Sequence, residues 1–244
     1  LDISFYPKQT LRKYELSLFN IEDYVPKSEN IIYKVVRRFG VSLHNYYVER
    51  NISEYDDNVF KYKKNIFLEG YWQNENYFKE IKSEIIKDFT RISALENESK
   101  IYLEKIKNIN SASIHVRRGD YINDSQVNKQ HGICDLEYYK NATEYLNKKF
   151  DDLTYVIFSD DMDWCKENFN FLVNKIFVDG TKSAIDDLEL MKNCKHNIIA
   201  NSTFSWWGAW LNQNEEKIII APKQWFEKKE WENKNIACEN WIKI

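Results

Sequence analysis

The sequence predicts an α/β protein whose second half builds a Rossmann-type parallel sheet, and three observations predict it. From Ser111 onward, short apolar runs alternate with segments of helical length. The polar clusters of the chain recur just past the ends of those runs. Gly and Pro number only 6 and 3 among 244 residues, which favours regular elements joined by short polar loops.

Taken in order, Ala112 to Val116 is the first apolar strand. Asp135 then caps a helix running from Leu136 to about Phe150, apolar at Leu136, Tyr139, Tyr145 and Leu146. Tyr155 to Phe158 is a second strand, followed by Ser159-Asp-Asp161 and a short helix around Trp164 to Asn168. Lys175 to Val178 is a third strand, and Ser183 with Asp186 caps a helix through Leu188, Leu190 and Met191. Asn197 to Ala200 is a fourth, leading through Asn201-Ser-Thr203 into a helix that includes Trp207 to Leu211. Lys217 to Ala221 closes the series before Pro222. Repeated strand-helix-strand units imply right-handed crossovers and a parallel sheet.

The first hundred residues lack this regularity. Aromatic-rich runs, Asn45-Tyr-Tyr47 and Asn65 to Gln73, precede an expected helix from Asn76 through about Lys107. The change of pattern divides the chain into an N-terminal region, 1–109, and a sheet-bearing domain, 110–244.

A chain that is 43% hydrophobic and 16% aromatic can bury a substantial core. Its net charge of -3 and pI near 5.9 give no general attraction to nucleic acid or to an anionic membrane, so any basic function must be local. Cys134, Cys165, Cys194 and Cys238 lie far apart without metal-ligand spacing, which reads as reduced thiols in a cytoplasmic protein and predicts no bound metal. No apolar window is long enough to span a membrane. The chain opens at Leu1 without Met, so the true start is expected upstream. Five N-x-S/T triplets begin at Asn51, Asn97, Asn123, Asn141 and Asn201. The last falls within the expected site, where a glycan would block binding, and this favours the cytoplasmic reading.

Three polar clusters sit at the carboxyl ends of their strands, the rim where open parallel sheets bind ligands. The first is Ser113-Ile-His-Val-Arg-Arg-Gly-Asp-Tyr121. Guanidinium groups bind phosphate bidentately and keep their charge. Adjacent residues of extended chain point to opposite sides, so Arg117 is assigned to a phosphate-bearing ligand, with Arg118 and Asp120 as structural partners. A surface ion-pair strip is the plainer alternative. His115, one alternation before Arg117, reads as a ligand contact beside it and as an ordinary core histidine in isolation.

The second cluster, Ser159-Asp160-Asp161-Met-Asp163, admits a divalent-metal site built on Asp161 and Asp163. Helix capping by Asp161 is preferred, because acidic residues favour helix amino ends on dipole grounds alone. The third, Asn201-Ser202-Thr203-Phe204-Ser205-Trp-Trp207, places hydroxyls and free N–H groups at a helix start, an anion-binding arrangement that ordinary capping also explains. Trp206, Trp207 and Trp210 can stack on a sugar or base, although their helical spacing puts some in the core.

Ile114-His-Val-Arg-Arg-Gly-Asp-Tyr121, Phe158-Ser-Asp-Asp161 and Ala200-Asn-Ser-Thr-Phe-Ser-Trp-Trp-Gly-Ala-Trp-Leu211 resemble the signature blocks of the family 11 glycosyltransferases, the α-1,2-fucosyltransferases. Thr10 to Leu16 and Leu68 to Gln73 with Tyr77-Phe78 are similar to further stretches of that family. The resemblance implies a GT-B-like architecture of two Rossmann-type halves. It also implies GDP-fucose as donor, a galactose-terminated glycan as acceptor, and inversion at the fucose anomeric carbon with no cofactor or metal. Carried onto this chain, Arg117 would hold the β-phosphate and stabilise departing GDP. His115 and the Thr203 to Ser205 turn would help seat the nucleotide. Read from the rim itself, Arg118, Asp160, Asp161, Asn201 and Ser202 are further candidate nucleotide contacts, and Asp120 and Asp124, within reach of it, are the candidate bases. The glycine-rich strand-turn-helix with which such proteins open is absent ahead of Leu1, so the N-terminal α/β half is expected to be incomplete. Two rivals stay open: a metal-dependent sugar-nucleotide transferase using Asp161 and Asp163, and a non-catalytic glycan- or nucleotide-binding module. No nucleic acid partner is expected, and peripheral association with the inner face of the membrane is compatible with this reading.

Overall fold

The computed structural model describes residues 14–21, 45–49, 54–63, 66–119, 129, 131–181, 183–227 and 235–244. The chain forms two compact units, Leu1–Ser93 and Ala94–Ile244.

In the first unit, β1 (Asn45–Val48) and β2 (Ile66–Glu69) pair in parallel, with Asn45 opposite Ile66 and Val48 opposite Glu69. The single helix expected over 76–107 is broken. Two 3-10 turns, Glu75–Tyr77 and Lys79–Ile81, lead into α1 (Lys82–Asp88), and helix resumes only at α2 (Asn97–Lys107) in the second unit. The interruption has a tertiary cause. Asn20 donates its N–H to the Thr90 carbonyl at 2.9 Å, and Ile92 donates to that of Leu18 at 3.0 Å. Phe19 also bridges to Arg91 and packs its ring 5.3 Å from Phe89. Extended pairing at Thr90 to Ile92, both β-branched and weakly helical, prevails over local helical continuation.

The second unit carries β3 (Ser111–Val116), α3 (Leu136–Asn147), β4 (Thr154–Ser159), α4 (Met162–Asn168), β5 (Lys175–Phe177), α5 (Ala184–Asn193), β6 (His196–Ile198), α6 (Thr203–Trp210), β7 (Ile219–Ala221) and β8 (Ile242–Lys243). The boundary read after residue 109 falls between α2 and β3, inside this unit. All neighbouring strands are parallel, in the order β5-β4-β3-β6-β7-β8. The five expected strands are all present. The sixth, β8, is two residues long and has too little alternation to be read from sequence.

Period-two alternation explains why helices cover both faces. Ala112, Ile114 and Val116 of β3 and Tyr155 and Ile157 of β4 join one core with Tyr139, Ala142 and Leu146 of α3. Val156 and Phe158 point the other way and pack with Ile106, Leu190 and Met191 of α2 and α5. The expected caps form: Asp135 accepts the Tyr138 N–H at 2.8 Å and Ser183 that of Ile185 at 3.2 Å. A buried amide chain fixes β6 beside β3, with Asn197 donating to Ser113 Oγ at 2.7 Å and Asn212 donating to Asn197 Oδ1 at 2.8 Å. All four cysteines are buried and none is in a disulfide, and burial pushes the thiols of Cys134 and Cys194 up to about 12, so neither is nucleophilic near neutrality.

Strand succession runs outward from β3 through β4 to β5, then restarts at β6 on the other side and runs through β7 to β8. The reversal lies between β3 and β6. In doubly wound sheets a crevice opens there, outside the carboxyl ends of the two diverging strands.

Candidate functional site

The two motifs most suited to an anion flank this reversal. His115-Val-Arg-Arg-Gly119 leaves β3, and Asn201 to Ser205 leaves β6 and opens α6. The His115 and Phe204 rings stand 5.5 Å apart, which brings the two segments together.

The neighbouring strand supplies the support. Asp160, just past β4, accepts from an Arg117 terminal nitrogen at 2.8 Å and from the Arg118 backbone N–H at 2.8 Å. Gly119 is needed for this approach, because a Cβ there would meet Asp160 Oδ2 at 2.9 Å. Arg117 is thus a partly exposed guanidinium whose direction is set by a carboxylate. Arg118 is held differently: its Nε lies 3.2 Å from Asp161 Oδ2, and its guanidinium stacks 3.8 Å from the centre of the Trp164 ring. Of the adjacent arginines, Arg118 is locked between Asp161 and Trp164.

Asp161 also accepts the Trp164 N–H at 3.3 Å, so both its oxygens are engaged, one in capping α4 and one in holding Arg118. This is the capping arrangement. Among the described residues no group of three or more acidic, histidine or cysteine side chains is placed to hold a metal.

His115 is 5% exposed, and its Nδ1 has no hydrogen-bond partner among the described residues. Burial pulls its pKa down to about 4, with Asp160 opposing and Arg117 assisting. It is therefore neutral at pH 7 and holds one uncommitted ring nitrogen within electrostatic reach of Arg117.

The α6 turn divides its labour. Asn201 is buried: its amide donates to the carbonyls of His131, Gly132 and Trp225 at 2.8, 3.3 and 3.2 Å, and its Oδ1 accepts from the Cys134 thiol at 3.6 Å. The N-x-S/T triplet there is closed to glycan attachment in the folded chain. Ser205 is buried too and donates to the Ser202 carbonyl at 3.2 Å. Both serve the fold. Ser202 stands at the N-cap of α6 without a side-chain capping bond, Phe204 is half-buried, and Thr203 is exposed. Unsatisfied first-turn N–H groups, the helix dipole and a guanidinium across the reversal suit a phosphate or diphosphate. Asp120 and Asp124 lie outside the described residues.

One carboxylate escaped the sequence reading. In the first turn of α5, past β5, Asp187 accepts from Thr181 at 2.7 Å, and burial raises its pKa to about 6, with Asp186 adding to the rise. Asp186, expected as a cap, is fully buried and accepts the Glu96 N–H at 3.1 Å. The Asp-Asp doublet was the available signal, and the capping role read for Asp186 gave it an ordinary explanation. Because the folded pKa of Asp187 lies above its unfolded value of 3.8, ionisation works against folding as pH rises through 6. Asp187→Asn is expected to stabilise the protein at pH 8 by on the order of 2 kcal/mol, with the gain gone near pH 4. Urea unfolding of both proteins at the two pH values measures this. His115 contributes in the opposite sense: its folded pKa is depressed, so its share of stability is complete above 6.5 and lost as pH falls toward 4.

Among the described residues no helix is long and apolar enough to cross a membrane. The profile of Glycosyl transferase family 11 matches residues 5–244. An alpha-1,2-colitosyltransferase of Escherichia coli is 40% identical over 179 residues, covering 72% of this chain and 61% of that protein. The O-antigen biosynthesis glycosyltransferase WbnK, also of Escherichia coli, is 35% identical over 263 residues, covering 97% of this chain and 86% of that protein. The galactoside 2-alpha-L-fucosyltransferase SEC1 of Bos taurus is 28% identical over 153 residues, covering 59% and 41%. The chain thus spans less than two thirds of the length of the first and third of these relatives.

Proposed function

The chain belongs to glycosyl transferase family 11, and from that premise we propose that it is an inverting α-1,2-fucosyltransferase, moving fucose from GDP-fucose to a galactose 2-hydroxyl of a glycan. The observation that carries the reading is Arg117, braced by Asp160 at the sheet reversal beside the amino end of α6. As the acceptor oxygen bonds to the anomeric carbon, the bond from that carbon to the β-phosphate oxygen breaks and charge accumulates on departing GDP. A preorganised guanidinium and helix-terminal N–H groups stabilise that charge without reorganising. His115 and the exposed edge of the 202–204 turn seat the nucleotide. The acceptor proton passes to a carboxylate, for which Asp120 and Asp124 are the candidates. The same reading places the enzyme in the cytoplasm, at the inner face of the membrane when its acceptor is lipid-borne.

A second donor merits direct comparison, because the relative 40% identical to this chain is named for colitose. Colitose lacks the fucose 3-hydroxyl, so a site that hydrogen-bonds this hydroxyl would reject it strongly, and an apolar site would not. The test is transfer to a β-galactoside from GDP-fucose and GDP-colitose in parallel, with and without EDTA, the product linkage being read by NMR. The expected result is an α-1,2-fucosylated product at an unchanged rate in EDTA. Preference for the colitose donor would move the assignment to that sugar, and EDTA inhibition reversed by Mg²⁺ or Mn²⁺ would favour Asp161 and Asp163 as metal ligands. GDP binding without transfer would favour a binding module.

A further inference from the structure

We infer that the cavity at the carboxyl ends of β6, β7 and β8 is a monosaccharide subsite that seats one ring of the acceptor glycan; in naming the acceptor, this rests on the transferase reading above. The cavity has a volume of about 250 Å³ and lies wholly within the second unit. Each of the three strands delivers a residue to it: Asn201 follows β6, Pro222 follows β7 and Ile244 follows β8. Asp135 and Tyr138, at the amino end of α3, also line it. Its place is therefore the ligand-binding rim of the sheet, on the far side of β6 from β3.

The wall of the cavity is tied in place. Gly132 turns with φ +68°, a left-handed conformation that glycine adopts without strain. A Cβ there would meet Glu227 Cγ at 2.6 Å and Oε1 at 2.9 Å, so the missing side chain is what lets Glu227 lie across the turn. The Asn201 amide joins this turn to the segment after β7, donating to the carbonyls of His131, Gly132 and Trp225. Lys223 donates its backbone N–H to the Ile244 carbonyl at 2.8 Å, which fixes the ends of β7 and β8 together. On this frame stand Lys223, Gln224 and Glu227, all exposed to solvent. Among the described residues neither Lys223 nor Glu227 forms an ion pair.

Size and chemistry select the occupant. Pockets for drug-sized ligands begin at about 300 Å³, so this one takes a single ring and not a nucleotide. Two carboxylates, Asp135 and Glu227, set against one ammonium, Lys223, oppose a phosphate. Gln224 spends its amide N–H on the Phe226 carbonyl at 3.1 Å and keeps its own oxygen as an acceptor. Sugar hydroxyls donate to the carboxylates and to that oxygen and accept from the ammonium, while a C–H face packs on Ile133, Pro222 and the Tyr138 ring. Position agrees with this choice. Neighbouring strands lie about 4.8 Å apart, so β7 stands roughly 7 Å from the middle of the β3–β6 reversal, which leaves room for the donor sugar between the crevice and the seated ring.

The test uses Glu227→Gln and Lys223→Met, which remove the charges and keep the side-chain lengths at exposed positions that the fold tolerates. On the full chain, saturation-transfer NMR with lactose and methyl β-galactoside is measured in the presence of GDP, alongside calorimetry with GDP, thermal unfolding and the kinetics of transfer from GDP-fucose. Galactoside affinity should fall about tenfold in each variant, the loss expected for a hydrogen bond to a charged group. GDP affinity and Tm should hold, and the acceptor KM should rise more than kcat falls. Unchanged galactoside affinity in both variants, an equal loss of GDP affinity, or a wild type that binds neither galactoside would overturn the inference. If the wild type transfers fucose and both variants keep its acceptor KM, the subsite fails and the proposed reaction stands. If the wild type binds galactoside and the variants do not, while the wild type transfers no sugar, the subsite stands and the proposed reaction fails.

Discussion

Arg117→Ala is expected to lower transfer by about a thousandfold and to weaken GDP binding measurably, with the fold intact. The expectation follows from where charge develops. Removing one preorganised donor from a developing oxyanion costs about 10²–10³ in kcat, and a full guanidinium facing a diphosphate lies at or beyond that range. Arg117 is partly exposed, in contrast to the residues of the sheet core, so its loss opens no cavity. Arg117→Lys keeps the charge and loses the fork, and should recover only part of the rate. Asp160→Asn probes the brace: an amide still fills the space beside Gly119 but no longer holds the guanidinium by charge. Its kcat should fall more than its GDP affinity, because orientation matters most in the transition state. Near-normal turnover of Arg117→Ala, measured with GDP-fucose and a galactoside, would remove the basis of the assignment.

What the sequence disclosed here, and what it withheld, follow from the range of the forces involved. The sheet-bearing unit was legible because its information is local. Apolar alternation in β3 and β4, caps at Asp135 and Ser183, and polar residues at strand ends are each decided within a few residues. Reversal of strand order between β3 and β6 was not legible, since no local pattern says on which side of β3 the fourth strand will lie. The broken helix was missed for the same reason: the competitor at Thr90 to Ile92 is a contact with residues 18–20, some seventy positions away. Within the site, extended-strand geometry sent Arg117 and Arg118 to different sides of the chain, and they do have different carboxylate partners. It could not reveal that Asp160 braces the first while Asp161 and Trp164 lock the second. Asn201 and Ser205 looked like ligand groups because their types match phosphate sites. Burial turned both inward, a property that residue type alone does not encode. Asp187 presents the converse case, an acid with an ordinary local excuse that burial makes unusual.

Asn201→Ala is expected to produce the largest loss of stability of any single change at the rim, about 3 kcal/mol, lowering Tm by roughly 10 °C. Its amide joins three backbone carbonyls from two separate segments, His131-Gly132 and Trp225. Alanine removes both amide hydrogens, which three carbonyls share, and the buried oxygens of Gly132 and Trp225 then cost about 1–3 kcal/mol each before relaxation if left unsatisfied. Asn201→Asp separates geometry from hydrogen bonding. It keeps the shape and the acceptor for Cys134, but sets a carboxylate oxygen against carbonyl oxygens, so it should destabilise at least as much at pH 8 and partly recover on acidification, once protonation restores one donor. Function should follow stability here by a definite route. Asn201 ties the start of α6 to the 131–135 segment, so loosening it misplaces the Ser202 to Phe204 edge while leaving the Arg117 and Asp160 pair in place. GDP affinity should therefore drop by about tenfold at temperatures where both variants remain folded, a loss separable from global unfolding by calorimetry well below Tm. A variant with wild-type Tm would show that the three carbonyls find other donors, and that the amide clamp is not what holds the turn.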